Sequence, residues 1–395
     1  MFKGKIEITA MVFAVLADER LGLTAELQRA RDEAADAQKI GKIESSLSGN
    51  RDEWFRRLDN LETTTFDRID LPKDELLAIF MADLAIAEEH TPCSNGWGLD
   101  MAIQMVEQRL SPAHGRLAAI WRMTLDGLAE RNAPLDAMLI TKLAILNAIR
   151  REQTPDQPAI DSLINEIKSA ALQIDEAKRR SRVLSWLLRQ AGIVARRTGN
   201  YPLASEMQEL AAETATDRAN KTMYRFLSLV EQHNQAVFTG SDNTPFTAQA
   251  LDDAYDDVME AMGKGHDWAP NPPIHVVWAW WLADLRGPQD EVLIEQTIGL
   301  SGKQAEVFVD WITLIQAIRA ERHGDHIAAT EFALRIIETA KGDEIRASAY
   351  VLLGNLAVTE DEQASYYLLG SRANKSEGHQ VAKLAERKLQ SLLQR

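Results

Sequence analysis

Residues Leu187–Ala211 read LLRQAGIVARRTGNYPLASEMQELA, and this stretch decides the fold. Leu188, Ala191, Gly192 and Ala195 recur at helical spacing, Gly199-Asn200-Tyr201 supplies a turn, and Ala204 and Ala211 share one face of a second helical run. Small residues opposed across a short turn let two helix axes approach closely, so the stretch predicts an antiparallel helical hairpin.

Two looser copies follow. Asp310–Thr339 carries Ala317 and Ala320, a Gly324-Asp325-His326 turn, and then Ala329, Ala333 and Ile336. Ala347–Ala373 carries Leu353-Gly354, Ala357 and Ala364 around a shorter turn. The order Ala-Gly-x-x-Ala-x-x-x-Gly-Asn-Tyr-x-x-Ala, closed by Ala211, resembles a tetratricopeptide repeat. The match is closest in the first helix and turn. Gln208 stands where that family has a large apolar residue, and no proline closes the unit at Thr216. The three copies cover roughly a quarter of the chain. The resemblance implies an all-α, TPR-like α-solenoid of stacked hairpins without significant sheet, whose first helices line a concave groove.

Composition agrees with an all-α chain. Helix formers dominate the 395 residues, and no alternating strand is followed by a hairpin signal. A net charge of −15 argues against general binding to a phosphate backbone, which needs clustered Lys and Arg. The single cysteine, Cys93, excludes an internal disulfide and a cysteine-based zinc site, as suits a reducing compartment and a cytoplasmic protein. Met1–Lys5 with the apolar Ile6–Ala17 imitates a targeting segment, but Glu7 interrupts it and it is too short to span a bilayer. A packed helix is the expectation there; export or membrane association through residues 1–17 is the alternative.

Proline and glycine punctuation divides the chain. Pro72 is expected to open a helix to about Glu89, and Ser111-Pro112 another to Arg131. Asn132-Ala133-Pro134 turns into Leu135–Arg151, while Ser48-Gly49-Asn50 reads as a break. Thr154–Pro158 and Thr239–Thr247 are the candidate boundaries, giving regions 1–153, 159–239 and 247–395. Residues 160–197 fit one long helix or two. Ile274–Arg286 is apolar almost all round, which implies burial on several sides. Gln380–Gln394 closes the chain with Arg387 and Lys388 toward its C-terminal end, where the helix dipole favours cations.

No nucleophile motif, phosphate loop or dinucleotide fingerprint is present, and no catalytic residue, metal site or cofactor is assigned. His90 and Cys93 form a thiol–imidazole pair without an identifiable orienting group. His323 and His326 flank a repeat turn. Asp252, Asp253, Asp256, Asp257 and Glu260 form a carboxylate-rich face without the glycine of a calcium loop. Trp278, Trp280 and Trp281 read as core or as a ligand groove. The functional signal is a basic stripe: Lys178, Arg182, Arg189 and Arg196 recur at four and seven residues, with Arg197 adjacent. Asp175–Arg179 and Glu176–Arg180 are i,i+4 pairs, whereas Arg189, Arg196 and Arg197 have no acid at i±4.

By the resemblance, Trp186, Arg189, Ile193, Arg196 and Arg197 point into the groove. The function it implies is a non-enzymatic scaffold or adaptor holding a protein or peptide, acidic at the contact, with no nucleic acid and no integral membrane span. An all-α enzyme or regulatory subunit with a site near His90–Cys93 or the tryptophans is a second reading. An envelope-associated assembly factor is a third.

Overall fold

The turn at Gly199 shows how this chain ends a helix. Asn200 N donates to Ala195 O at 3.0 Å and Gly199 N to Arg196 O at 3.0 Å, with Gly199 at φ +82°. That is a Schellman closure, and only glycine enters the left-handed region without a Cβ penalty. Asn200 then caps the next helix by accepting from Leu203 N at 3.3 Å. Gly324 repeats the closure at φ +74°, with Asp325 N donating to Ala320 O at 2.9 Å and Asp325 capping through Ala328 N at 3.0 Å. Asn132 and Asp284 perform it without glycine, at φ +53° and +55°.

In the computed structural model, residues 2–60, 73–89, 103, 114–133, 135–150, 156–174, 182–263, 269–340, 342–373 and 379–394 are described. Among them there is no strand, and within each unit most consecutive helices pack on one another as hairpins, an all-α solenoid arrangement. The chain divides into two compact units, Met1–Arg179 and Arg180–Arg395. The division falls inside the region 159–239. At Thr239–Thr247 the structure has a tight turn between two packed helices.

The first unit contains α1 (Phe2–Asp32), α2 (Ala37–Asn60), α3 (Lys73–Glu89), α4 (His114–Glu130), α5 (Leu135–Arg150) and α6 (Gln157–Gln173). The fully buried Phe13 of α1 meets Trp54 edge-on at 4.4 Å and Phe80 at 5.0 Å, so Ala10, Phe13 and Ala14 are part of this core. Ser48-Gly49-Asn50 does not break α2. Asn50 is buried and donates to Leu16 O and Glu19 Oε2, both at 3.0 Å, and these bonds to α1 outweigh its turn preference. The chain turns instead at Ala34, φ +51°. Trp121, Leu128, Leu143 and Leu146 of α4 and α5 are buried, and Leu125 and Met138 are half-buried. The described residues of 160–197 belong to separate helices, one ending at Gln173 and the next beginning at Arg182.

The second unit contains α7 (Arg182–Arg197), α8 (Tyr201–Thr214), α9 (Arg218–Thr239), α10 (Thr244–Met262), α11 (Asn271–Leu282) and α12 (Asp290–Ile298). It continues with the short α13 (Gly302–Val307), α14 (Val309–Arg322), α15 (His326–Thr339), α16 (Asp343–Leu356), α17 (Glu360–Arg372) and α18 (Gln380–Leu393). The predicted close approach of α7 and α8 is present: a Cβ on Gly192 would lie 2.9 Å from Gln208 Nε2 and 3.3 Å from Ala204 O. Gly354 does the same for α16 and α17, where a Cβ would collide with the Tyr367 ring. Helix α11 is buried from Pro272 to Leu282, as its all-round apolarity requires; it ends a turn before Gly287-Pro288, at the Asp284 closure.

The alternate helices α9, α11, α14 and α16 touch in succession and form a wall, and α18 lies against α9 and α16 as well as its hairpin partner α17. Arg387 of α18 does not complement its own helix dipole. It donates to Phe238 O at 2.8 Å and to Val237 O, the exposed carbonyl end of α9. Gly240 leaves room for it, since a Cβ there would stand 2.9 Å from Arg387 Nε. Lys388 reaches Asp284 at 3.0 Å.

Candidate functional site

Where α18 begins, five helices of the second unit bring polar side chains together inside the wall. Gln380 is fully buried, and its amide is used on both sides. Its Nε2 donates to Asn234 Oδ1 at 3.1 Å and to Glu344 Oε1 at 2.9 Å, while Tyr201 Oη donates to its Oε1. The same Tyr201 oxygen accepts the Gln380 backbone N–H at 2.8 Å, satisfying a donor that a helix start leaves open. His379 caps α18 by accepting from Val381 N through Nδ1 at 3.4 Å, which leaves its proton on Nε2, 3.5 Å from Glu344 Oε1.

A second layer lies behind. Asn234 donates to Glu231 Oε2 at 3.1 Å, and the other Glu231 oxygen faces Arg196 Nε at 3.6 Å without a hydrogen bond. Glu231 and Asn234 are each 1% exposed. Burial pushes the Glu231 carboxyl up to about 7, against the pull of Arg196 and the Asn234 bond. Burial opposes ionisation of Glu344 too, but the bonds from His379 and Gln380 and the charge of Arg196 hold it below the usual carboxylate range. Two acids in one cluster are thereby driven apart. Burial raises the Tyr201 phenol and lowers His233 and His275 to about 4, so both imidazoles are neutral. His233 Nδ1 bonds Thr247 Oγ1 at 2.9 Å, and His275 packs among Phe226, Trp278 and Trp311.

The basic stripe on α7 divides. Arg189 is 6% exposed and its pKa is lowered to about 10, by burial first. Arg196 is held against Glu231, so both turn inward toward α9. Trp186 and Ile193 are half-buried and Arg197 is exposed, one face apart from the two inward arginines. A search at i±4 misses the partner of Arg196 because that partner sits on another helix. Lys178 and the pairs Asp175–Arg179 and Glu176–Arg180 lie outside the described residues, as do His90 and Cys93.

The tryptophans are core: Trp278 is 2% exposed with Nε1 donating to Ser348 Oγ at 3.3 Å, and Trp281 donates to Glu321 Oε2 at 2.7 Å. Of the acidic run, Asp252 is buried, Glu260 pairs with Arg218 at 3.2 Å, and Asp253, Asp256 and Asp257 face solvent. His323 meets Glu291 at 3.2 Å, and no three His, Cys, Asp or Glu side chains converge on a metal site among the described residues. Nor, among them, is any helix long and apolar enough to cross a membrane.

No family model matches the sequence, and neither does any curated protein. One solved structure is similar, a circular tandem repeat protein with novel repeat topology and enhanced subunit contact surfaces, at 14% identity over 99% of this chain and 96% of that one. Its TM-score of 0.26 is too low to equate the two architectures.

Proposed function

We propose that the protein is a non-enzymatic scaffold that holds a segment of another protein along the first helices of its hairpins. The observation that supports this most is the wall of α9, α11, α14 and α16, against which a helix of the chain itself is laid. Stacked repeats offer extended surfaces of this kind. The tetratricopeptide resemblance of Leu187–Ala211 adds that first helices line the concave side. In the same series, α7 presents Trp186, Ile193 and Arg197 outward, with Arg189 and Arg196 behind them. Arginine beside a tryptophan suits an acidic segment, because its planar fork pairs with carboxylates.

A photo-crosslinking residue at Ile193 in the full chain, expressed in the native host, tests the reading. It should trap a protein partner in stoichiometric amount, and Trp186→Ala with Arg197→Glu should abolish the product while the helical circular dichroism signal is kept. No trapped partner, or trapping indifferent to both substitutions, contradicts the proposal.

A further inference from the structure

We infer that α18 is a built-in occupant of the helix-binding wall of the second unit, and that the partner this wall fits is an amphipathic helix carrying the same anchors. The inference goes beyond the scaffold reading: it concerns the face of α9 and α16 and not the α7 face.

The buried apolar residues of α18 are small, Val381, Ala382 and Ala385, whereas Leu384, Leu389 and Leu392 are half-buried and Leu393 is 74% exposed. None of its four leucines is fully buried, as the anchoring leucines of a core helix would be. The hold comes from polar anchors at fixed spacing. His379 and Gln380 enter the cluster of Tyr201, Asn234 and Glu344, and Arg387 closes the carbonyl end of α9 two turns later. Lys388 adds Asp284.

The wall answers these anchors in kind. Glu344 sits at the positive start of α18, where an anionic group is favoured, and the last carbonyls of α9 offer partial negative charge to a cation. Gly240 removes the side chain that would block Arg387. Recognition of a helix by a groove uses anchors at successive turns, and here one end is read by hydrogen bonds and the other by charge. A competing helix needs a Gln following its N-cap, small residues at the next turns, and an Arg seven positions after the Gln. Such a ligand replaces α18 without any change in the wall.

The probe is a fluorescein-labelled peptide of residues 379–394, titrated by anisotropy into the full-length protein and into full-length Gln380→Ala/Arg387→Glu. An occupant in cis reduces apparent affinity by the fraction of protein in which the wall is open. Loosening α18 should therefore tighten peptide binding by about tenfold or more, and adding Glu344→Gln and Asn234→Ala should remove the gain. Equal binding to the two proteins, or none to either, overturns the inference. So does loss of the helical circular dichroism signal in the double variant, because α18 would then be structural core. The crosslinking test of the scaffold reads α7 and stands or falls separately.

Discussion

Glu231→Gln should flatten the pH dependence of stability in a defined window. Glu231 is buried beside Arg196 with one oxygen lacking a hydrogen bond, and its carboxyl titrates at about 7 in place of 4.5. The folded chain therefore keeps this proton to a higher pH than the unfolded chain does. Between 4.5 and about 7 the folded state binds more protons, so the contribution is full below 4.5 and is lost as pH rises through about 7. At about 1.4 kcal/mol per pH unit the loss amounts to about 3 kcal/mol. The amide mimics the protonated acid and does not titrate, and Arg196 retains the charge of Glu344. Urea titrations read by tryptophan fluorescence, at about pH 5 and about pH 8, give the difference between the two proteins. The variant should lie within about 0.5 kcal/mol of wild type at the lower pH and gain about 2–3 kcal/mol on it at the higher. Parallel profiles would refute the reasoning, since Glu231 would then ionise in the folded state as freely as in water.

Glu344→Gln works in the opposite sense. The Glu344 pKa is depressed, so its contribution is present above the ordinary 4.5 and lost as pH falls toward the folded-state value. The variant should be weaker than wild type by about 1–3 kcal/mol at neutral pH and the gap should close in acid; a gap that does not change with pH contradicts this. Gly192→Leu and Gly354→Leu should each cost about 1–3 kcal/mol by overpacking their hairpins, and unchanged melting temperatures in both would show that the helices do not face each other there.

The hairpins were legible because their signals are local. Gly199-Asn200 and Gly324-Asp325 pair a left-handed closure with a cap inside two residues, and small residues mark where the axes approach. Asp284 gave no such signal, since a left-handed aspartate is indistinguishable in sequence from any other. Ser48-Gly49-Asn50 misled for the converse reason: a turn-forming asparagine was recruited by bonds to α1. The polar cluster was invisible from spacing alone. Its members come from α7, α8, α9, α16 and the start of α18, and no periodicity links Arg196 to Glu231 or Tyr201 to Gln380. Arg387 looked like a cation serving its own helix, whereas it serves α9.

Hydrogen exchange on the full chain, with and without excess 379–394 peptide, decides whether the wall holds a replaceable helix. The peptide should accelerate exchange of the backbone amides of Val381–Leu389 in the chain while α9 and α16 keep their protection. Unchanged protection in Val381–Leu389, or its loss together with that of α9 and α16, would contradict the account.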